Sequence, residues 1–181
     1  MLLVAGIGAA TGVRVVIGGS QSATSMPAGF AFALALILLA SGAGWRPRRP
    51  NLRAVVLGTA GGAAVVAIWI TAHPGIAIDL ASVNAAIGLW TPIVAMVAVA
   101  EEVVLRGVLF NALRGWGGHG LALAVTTVLF GLMHVPLYGV GALPLDLAVG
   151  LLLGGLRIVS GGVLAPAIAH VVADLAGGWL L

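Results

Sequence analysis

The sequence predicts an all-α protein: a polytopic membrane helix bundle of about seven transmembrane helices, with a polar centre in the core of spans four to seven. Three observations carry this. Hydrophobic residues fill 61% of 181 positions and charged residues only 7%, against roughly 25% charged in soluble domains. Mean hydropathy is +1.21. Apolar runs of about 18 residues recur along the whole length between short stretches of helix breakers, a pattern of separate spans rather than of one large core. The length suits a single membrane domain over 1–181, divided into accessory N-terminal spans (1–85) and a core (86–181).

The spans follow in order. The first, about 2–19, is apolar from its second residue and interrupted by Arg14; it has no basic n-region, which argues against a cleaved signal peptide. The second, about 27–43, ends at WRPRRPN, Trp45 to Asn51. The third, about 54–72, stops at HPG, His73 to Gly75. The fourth, about 86–113, is long enough to tilt or protrude and gives way to GWGGHG, Gly115 to Gly120. The last three, about 120–137, 143–159 and 163–181, include the break SGG at Ser160 to Gly162. Glycines spaced four apart at Gly8/Gly12, Gly58/Gly62 and Gly150/Gly154 predict close helix contacts.

Charge fixes an orientation. With these spans Arg46, Arg48, Arg49, Arg53, Arg114 and Arg157 all fall on one side, which the positive-inside rule makes cytoplasmic, together with the N-terminus. The expected location is the cell membrane, with the lipid bilayer as solvent. A pI near 11.2 rests on a net charge of only +3, with no basic stripe and interleaved aromatics, so no nucleic-acid partner is expected. The absence of cysteine excludes disulfides, thiolate metal sites and a cysteine nucleophile. No internal repeat supports the inverted-repeat design of transporters.

Few polar residues are available for chemistry. His73, Asp79, His119 and Asp146 read as interfacial. Within the spans stand Glu101, Glu102, Arg106, His134, His170 and Asp174. An ionisable group at mid-bilayer costs at least ~2.5–3.5 kcal/mol, so these should pair or face a wet cavity. Glu102 and Arg106, at i and i+4, suit an ion pair, with Glu101 about 100° away and facing another direction. Phe130/His134 and His170/Asp174 each share a helix face. At ~1.5 Å per residue, Glu101, His134, His170 and Asp174 lie roughly 18, 20, 10 and 17 Å from the arginine-rich side. Ionisable groups at similar depth on three helices make one centre.

Two imidazoles with one or two carboxylates suit a divalent metal, zinc in the first instance, held by Glu101, His134, His170 and Asp174. Such an ion supplies hydroxide at neutral pH, and a further carboxylate can move the proton to a leaving amine. That is equipment for peptide-bond hydrolysis. HExxH and GxSxG are absent. Two other readings use the same buried polar cluster: a small ion-coupled transporter, and a non-catalytic immunity or scaffold protein.

At these residues the chain resembles the CAAX prenyl protease and bacteriocin-processing membrane proteins, the CPBP or Abi family of intramembrane proteases. EExxxR matches Glu101, Glu102 and Arg106; FxxxH matches Phe130 and His134; a histidine followed four residues later by Asn or Asp matches His170 and Asp174. The resemblance runs from about Ala86 to the C-terminus. It implies a membrane-associated or prenylated peptide or protein substrate and an intramembrane endopeptidase with Glu101 as general base. Glu102 would be a supporting ligand or the partner of Arg106. The resemblance admits either a bound metal or a metal-free mechanism with a histidine and asparagine as oxyanion hole. Asp174 stands where an asparagine would donate, and an ionised aspartate only accepts, which favours the metal. Phe130 is expected to pack on His134, or to line the substrate cleft.

Overall fold

The computed structural model describes residues 2–72, 88 and 90–180, and among them every regular element is helical. The helices are α1 (Leu2–Gly18), α2 (Met26–Gly42), α3 (Leu52–Ala72), α4 (Trp90–Glu102), α5 (Phe110–Tyr138), α6 (Leu143–Ser160) and α7 (Leu164–Leu180). Local chemistry sets several ends. The Ser25 hydroxyl accepts from the Ala28 N–H at the start of α2, and Asn51 Oδ1 accepts from the Ala54 N–H at 2.8 Å at the start of α3. A left-handed Gly161, φ 72°, ends α6.

Three helical segments, Leu2–Gln21, Leu52–Thr71 and Val140–Ser160, are long and apolar enough to cross a membrane; Met26–Gly42 and Leu164–Gly177 are shorter apolar helices. The polarity runs inside out relative to a soluble protein. Leu34, Leu38, Ile68, Val128, Leu132 and Leu151 are exposed, whereas Arg14, Glu101, Glu102, Arg106, Arg157 and His170 are buried. In lipid this is the favoured arrangement, because apolar chains cost nothing at the surface and charges must find partners within.

Helix α4 packs against α2 and α7; α7 also packs on α3 and α6, α5 on α6, and α1 on α2. Phe32, Leu36, Val104, Leu105, Phe130 and Leu153 form the apolar core around α4. Two of the three expected glycine contacts occur. A Cβ at Gly58 would stand 2.7 Å from the Ala165 carbonyl oxygen and one at Gly62 2.7 Å from Val172 Cβ, so glycine is what lets α3 lie against α7. Gly150 abuts Thr127 and Phe130, and Gly154 abuts Leu123. The expectation for Gly8 and Gly12 fails: a Cβ at either meets only open space, because this face of α1 has no neighbour.

The fourth span differs from its expected form. It changes at Val103–Leu109 into a π-helix, in which the Phe110 N–H bonds the Leu105 carbonyl five residues back. The expected loop Gly115–Gly120 shrinks to a break at Gly117 and Gly118, whose positive φ of 73° only glycine adopts readily. The readings made for His73 and Asp79, and the start of the fourth span before Trp90, lie outside the described residues.

Candidate active site

The site begins at the end of α4, where two adjacent carboxylates leave an otherwise apolar helix. Glu102 and Arg106 pair as their spacing predicts, NH1 to Oε1 at 2.8 Å, and neither has any exposed surface. The guanidinium also donates to the Gly150 carbonyl of α6 at 3.0 Å and lies 4.8 Å from the Phe130 ring centroid. One cation therefore joins α4, α5 and α6.

His170 of α7 brings the two glutamates together. Its Nδ1 stands 3.1 Å from Glu102 Oε1, and its Nε2 stands 3.8 Å from Glu101 Oε2 and 3.5 Å from Asp174 Oδ1. The two carboxylates diverge, and the His170 imidazole, with a nitrogen at each end, sits in the wedge between them. Glu101 is buried and makes no direct hydrogen bond among the described residues; its nearest charged neighbours are His170 and Arg14, each at 3.8 Å. Asp174 is the open edge of the cluster, its side chain 37% exposed.

His134 donates from Nδ1 to the Phe130 carbonyl at 2.8 Å; a carbonyl only accepts, so this nitrogen carries a proton, and a neutral ring then has its lone pair on Nε2. Phe130 packs against both histidines, with ring centroids 4.4 Å from His134 and 5.3 Å from His170, and is itself buried.

Four contributors escaped the sequence reading. Arg14 does not merely weaken the first span: it is buried beside Glu101. Asp146 is not simply interfacial: its Oδ2 is buried without a hydrogen-bond partner among the described residues, and it lies within electrostatic reach of His134, Glu101 and His170. Tyr138 stacks on His134 at 5.8 Å. Arg157, in the last turn of α6, is buried. Its Nε donates to the Arg106 carbonyl at 2.8 Å and its NH2 to Asn111 Oδ1 at 2.8 Å, tying down the π-helical stretch. An arginine inside an apolar span was the available signal for both cations.

The donor chemistry suits a divalent ion, since His134 has a free Nε2 and the Nε2 of His170 faces Glu101 and Asp174. Among the described residues, no three His, Asp or Glu side chains stand as a ready ligand cluster.

No curated protein and no solved structure gives a significant match to the chain. A family model, Type II CAAX prenyl endopeptidase Rce1-like, matches residues 82–176, a segment that holds all seven motif residues from Glu101 to Asp174. More than half of the sequence lies in that segment, and the chain belongs to the Type II CAAX prenyl endopeptidase Rce1-like family.

Proposed function

We propose that the chain is an intramembrane endopeptidase that hydrolyses a membrane-associated or prenylated peptide, with Glu101 as the base that activates water. One observation carries the reading. Glu101 is buried, faces an imidazole, and is committed to no direct hydrogen bond among the described residues, so its carboxylate is available to a substrate water. Glu101 takes a proton as water adds to the scissile carbonyl, and returns it to the leaving amine when the tetrahedral intermediate collapses. Glu102, whose Oε1 is held by both Arg106 and His170, fixes the His170 ring rather than reacting.

The developing oxyanion needs positive charge. His170 turns both ring nitrogens towards carboxylates, an arrangement that calls for a cation at this point. A second ring proton provides one. A divalent ion held by Glu101, His134, His170 and Asp174 provides the other form, and when bound it would polarise the carbonyl and acidify water. Zinc content of the purified protein separates the two forms. About one ion per chain, lost in His134→Ala and His170→Ala, supports the metal form; a folded, active, metal-free protein supports the imidazolium form.

All seven helices are proposed to span the bilayer, with the arginine-rich loops cytoplasmic. Helices α1, α2 and α7, each of 17 residues, measure about 26 Å at ~1.5 Å per residue, close to a hydrocarbon core of roughly 30 Å. The test of function uses proteoliposomes and a quenched fluorescent farnesylated CAAX peptide. Wild type should cleave it, and Glu101→Ala should not while melting as wild type does. Cleavage by Glu101→Ala at the wild-type rate would sink the assignment.

A further inference from the structure

We infer that Arg14 is a positioning residue for Glu101, supplied by a helix outside the family-matched segment 82–176. The inference rests on the protease reading of Glu101. Arg14 lies about one turn before the end of α1, and its guanidinium is buried. An arginine inside an apolar helix is costly and is kept only where partners meet it.

Here each nitrogen has its own partner. Nε donates to the Ser22 carbonyl at 3.2 Å and NH2 to the Ala23 carbonyl at 3.3 Å, while NH1 stands 3.8 Å from Glu101 Oε1. The carbonyls belong to the chain just after a short 3-10 turn, Gly19–Gln21, which folds back over the end of α1. The Phe32 ring of α2, 5.1 Å away, supports the guanidinium plane. Two nitrogens fixed by backbone leave the third no freedom of direction. The clamp therefore aims one positive N–H at one carboxylate oxygen, and the other oxygen of Glu101 is left towards His170.

A buried countercharge with no part in turnover is the competing explanation. The two differ in what they do to kcat. A positioning role predicts that Arg14→Met loses about tenfold in kcat, with KM within about twofold, since a misplaced base slows chemistry rather than binding. Arg14→Lys, which restores charge without the planar fork, should fold and recover only part of the rate.

The experiment measures kcat and KM for both variants in proteoliposomes on the farnesylated CAAX reporter, with Glu101→Ala as control. Alongside, melting in detergent is measured for Arg14→Met, Glu101→Gln and the double variant. The expected melting losses are non-additive, the loss from Arg14→Met being smaller once Glu101 is neutral. Wild-type kcat in folded Arg14→Met would overturn the inference, as would full recovery by lysine or strict additivity of melting. If wild type and Glu101→Ala were equally inert on the reporter, the protease reading would fall. The melting cycle would still decide whether Arg14 acts on Glu101.

Discussion

Replacing Arg106 by methionine tests the buried network most directly. The substitution keeps an unbranched side chain in the same space and removes the charge. It abolishes the 2.8 Å pair with Glu102, the 3.0 Å bond to the Gly150 carbonyl and the contact over Phe130. Glu102 then remains fully buried as an anion with His170 as its sole remaining hydrogen-bond partner among the described residues. Breaking one side of a buried pair costs about 3–5 kcal/mol, because the surviving charge is stranded. At about 2–4 °C per kcal/mol for a chain of this size, the melting temperature should fall by roughly 6–20 °C. Neutralising the stranded partner should reverse much of this. The double variant Glu102→Leu/Arg106→Met should recover about half or more of the loss, the remainder being the lost second bond to the Gly150 carbonyl and the unpaired His170 N–H. The assay is thermal unfolding in mild detergent, followed by intrinsic tryptophan fluorescence. An Arg106→Met protein melting within about 2 °C of wild type would refute the reasoning, and so would a double variant no more stable than the single one.

The remaining predictions concern other parts of the bundle. Glu101→Ala and His170→Ala should each lower cleavage of the farnesylated reporter by about a hundredfold or more, while circular dichroism shows unchanged helicity. Gly62→Ala should destabilise by about 1–3 kcal/mol, since its Cβ would press on Val172 of α7, whereas Gly12→Ala should be neutral or stabilising by up to ~1 kcal/mol; the two melting curves should move in opposite directions or differ plainly. Arg157→Met should cost about 2–4 kcal/mol through loss of its bonds to the Arg106 carbonyl and Asn111, and hydrogen exchange should rise in Val103–Leu109 before the rest of α4 and α5.

Much of the bundle could be read from residue order, because hydropathy and breakers act locally. The helix ends at Gly42, Ala72 and Ser160 fall at or within a residue or two of the sequence boundaries for this reason. The Glu102–Arg106 pair was legible too, since i and i+4 spacing is a property of one helix. What was not legible depends on partners distant in the chain. Nothing in the spacing shows that His170 lies between two adjacent glutamates, or that Arg14 reaches from α1 towards Glu101. Asp146 sits in the first turn of α6, where an acid is expected on helix-dipole grounds alone, so its nearness to His134 was hidden by an adequate local explanation. The π-helix was hidden for another reason: its composition, VVLRGVL, is as ordinary for an α-helix.

That seven-residue stretch is a place where the chain can change length. Each of its backbone loops encloses one residue more than an α-helical loop, so the segment Val103–Leu109 behaves as a helix carrying a surplus residue. A deletion of one residue there would leave hydropathy, charge and insertion into lipid almost untouched. It would let the helix relax to the ordinary pitch and leave everything beyond it close to its present direction, because the surplus residue is taken up within the π-helical turns. The face that carries Phe110 and Asn111 would stay near Arg157, which now clasps it. For this centre, the π-helical turns are where the chain can lose a residue without turning Phe110 away from the glutamates. A substitution scan that preserves length would not reveal it.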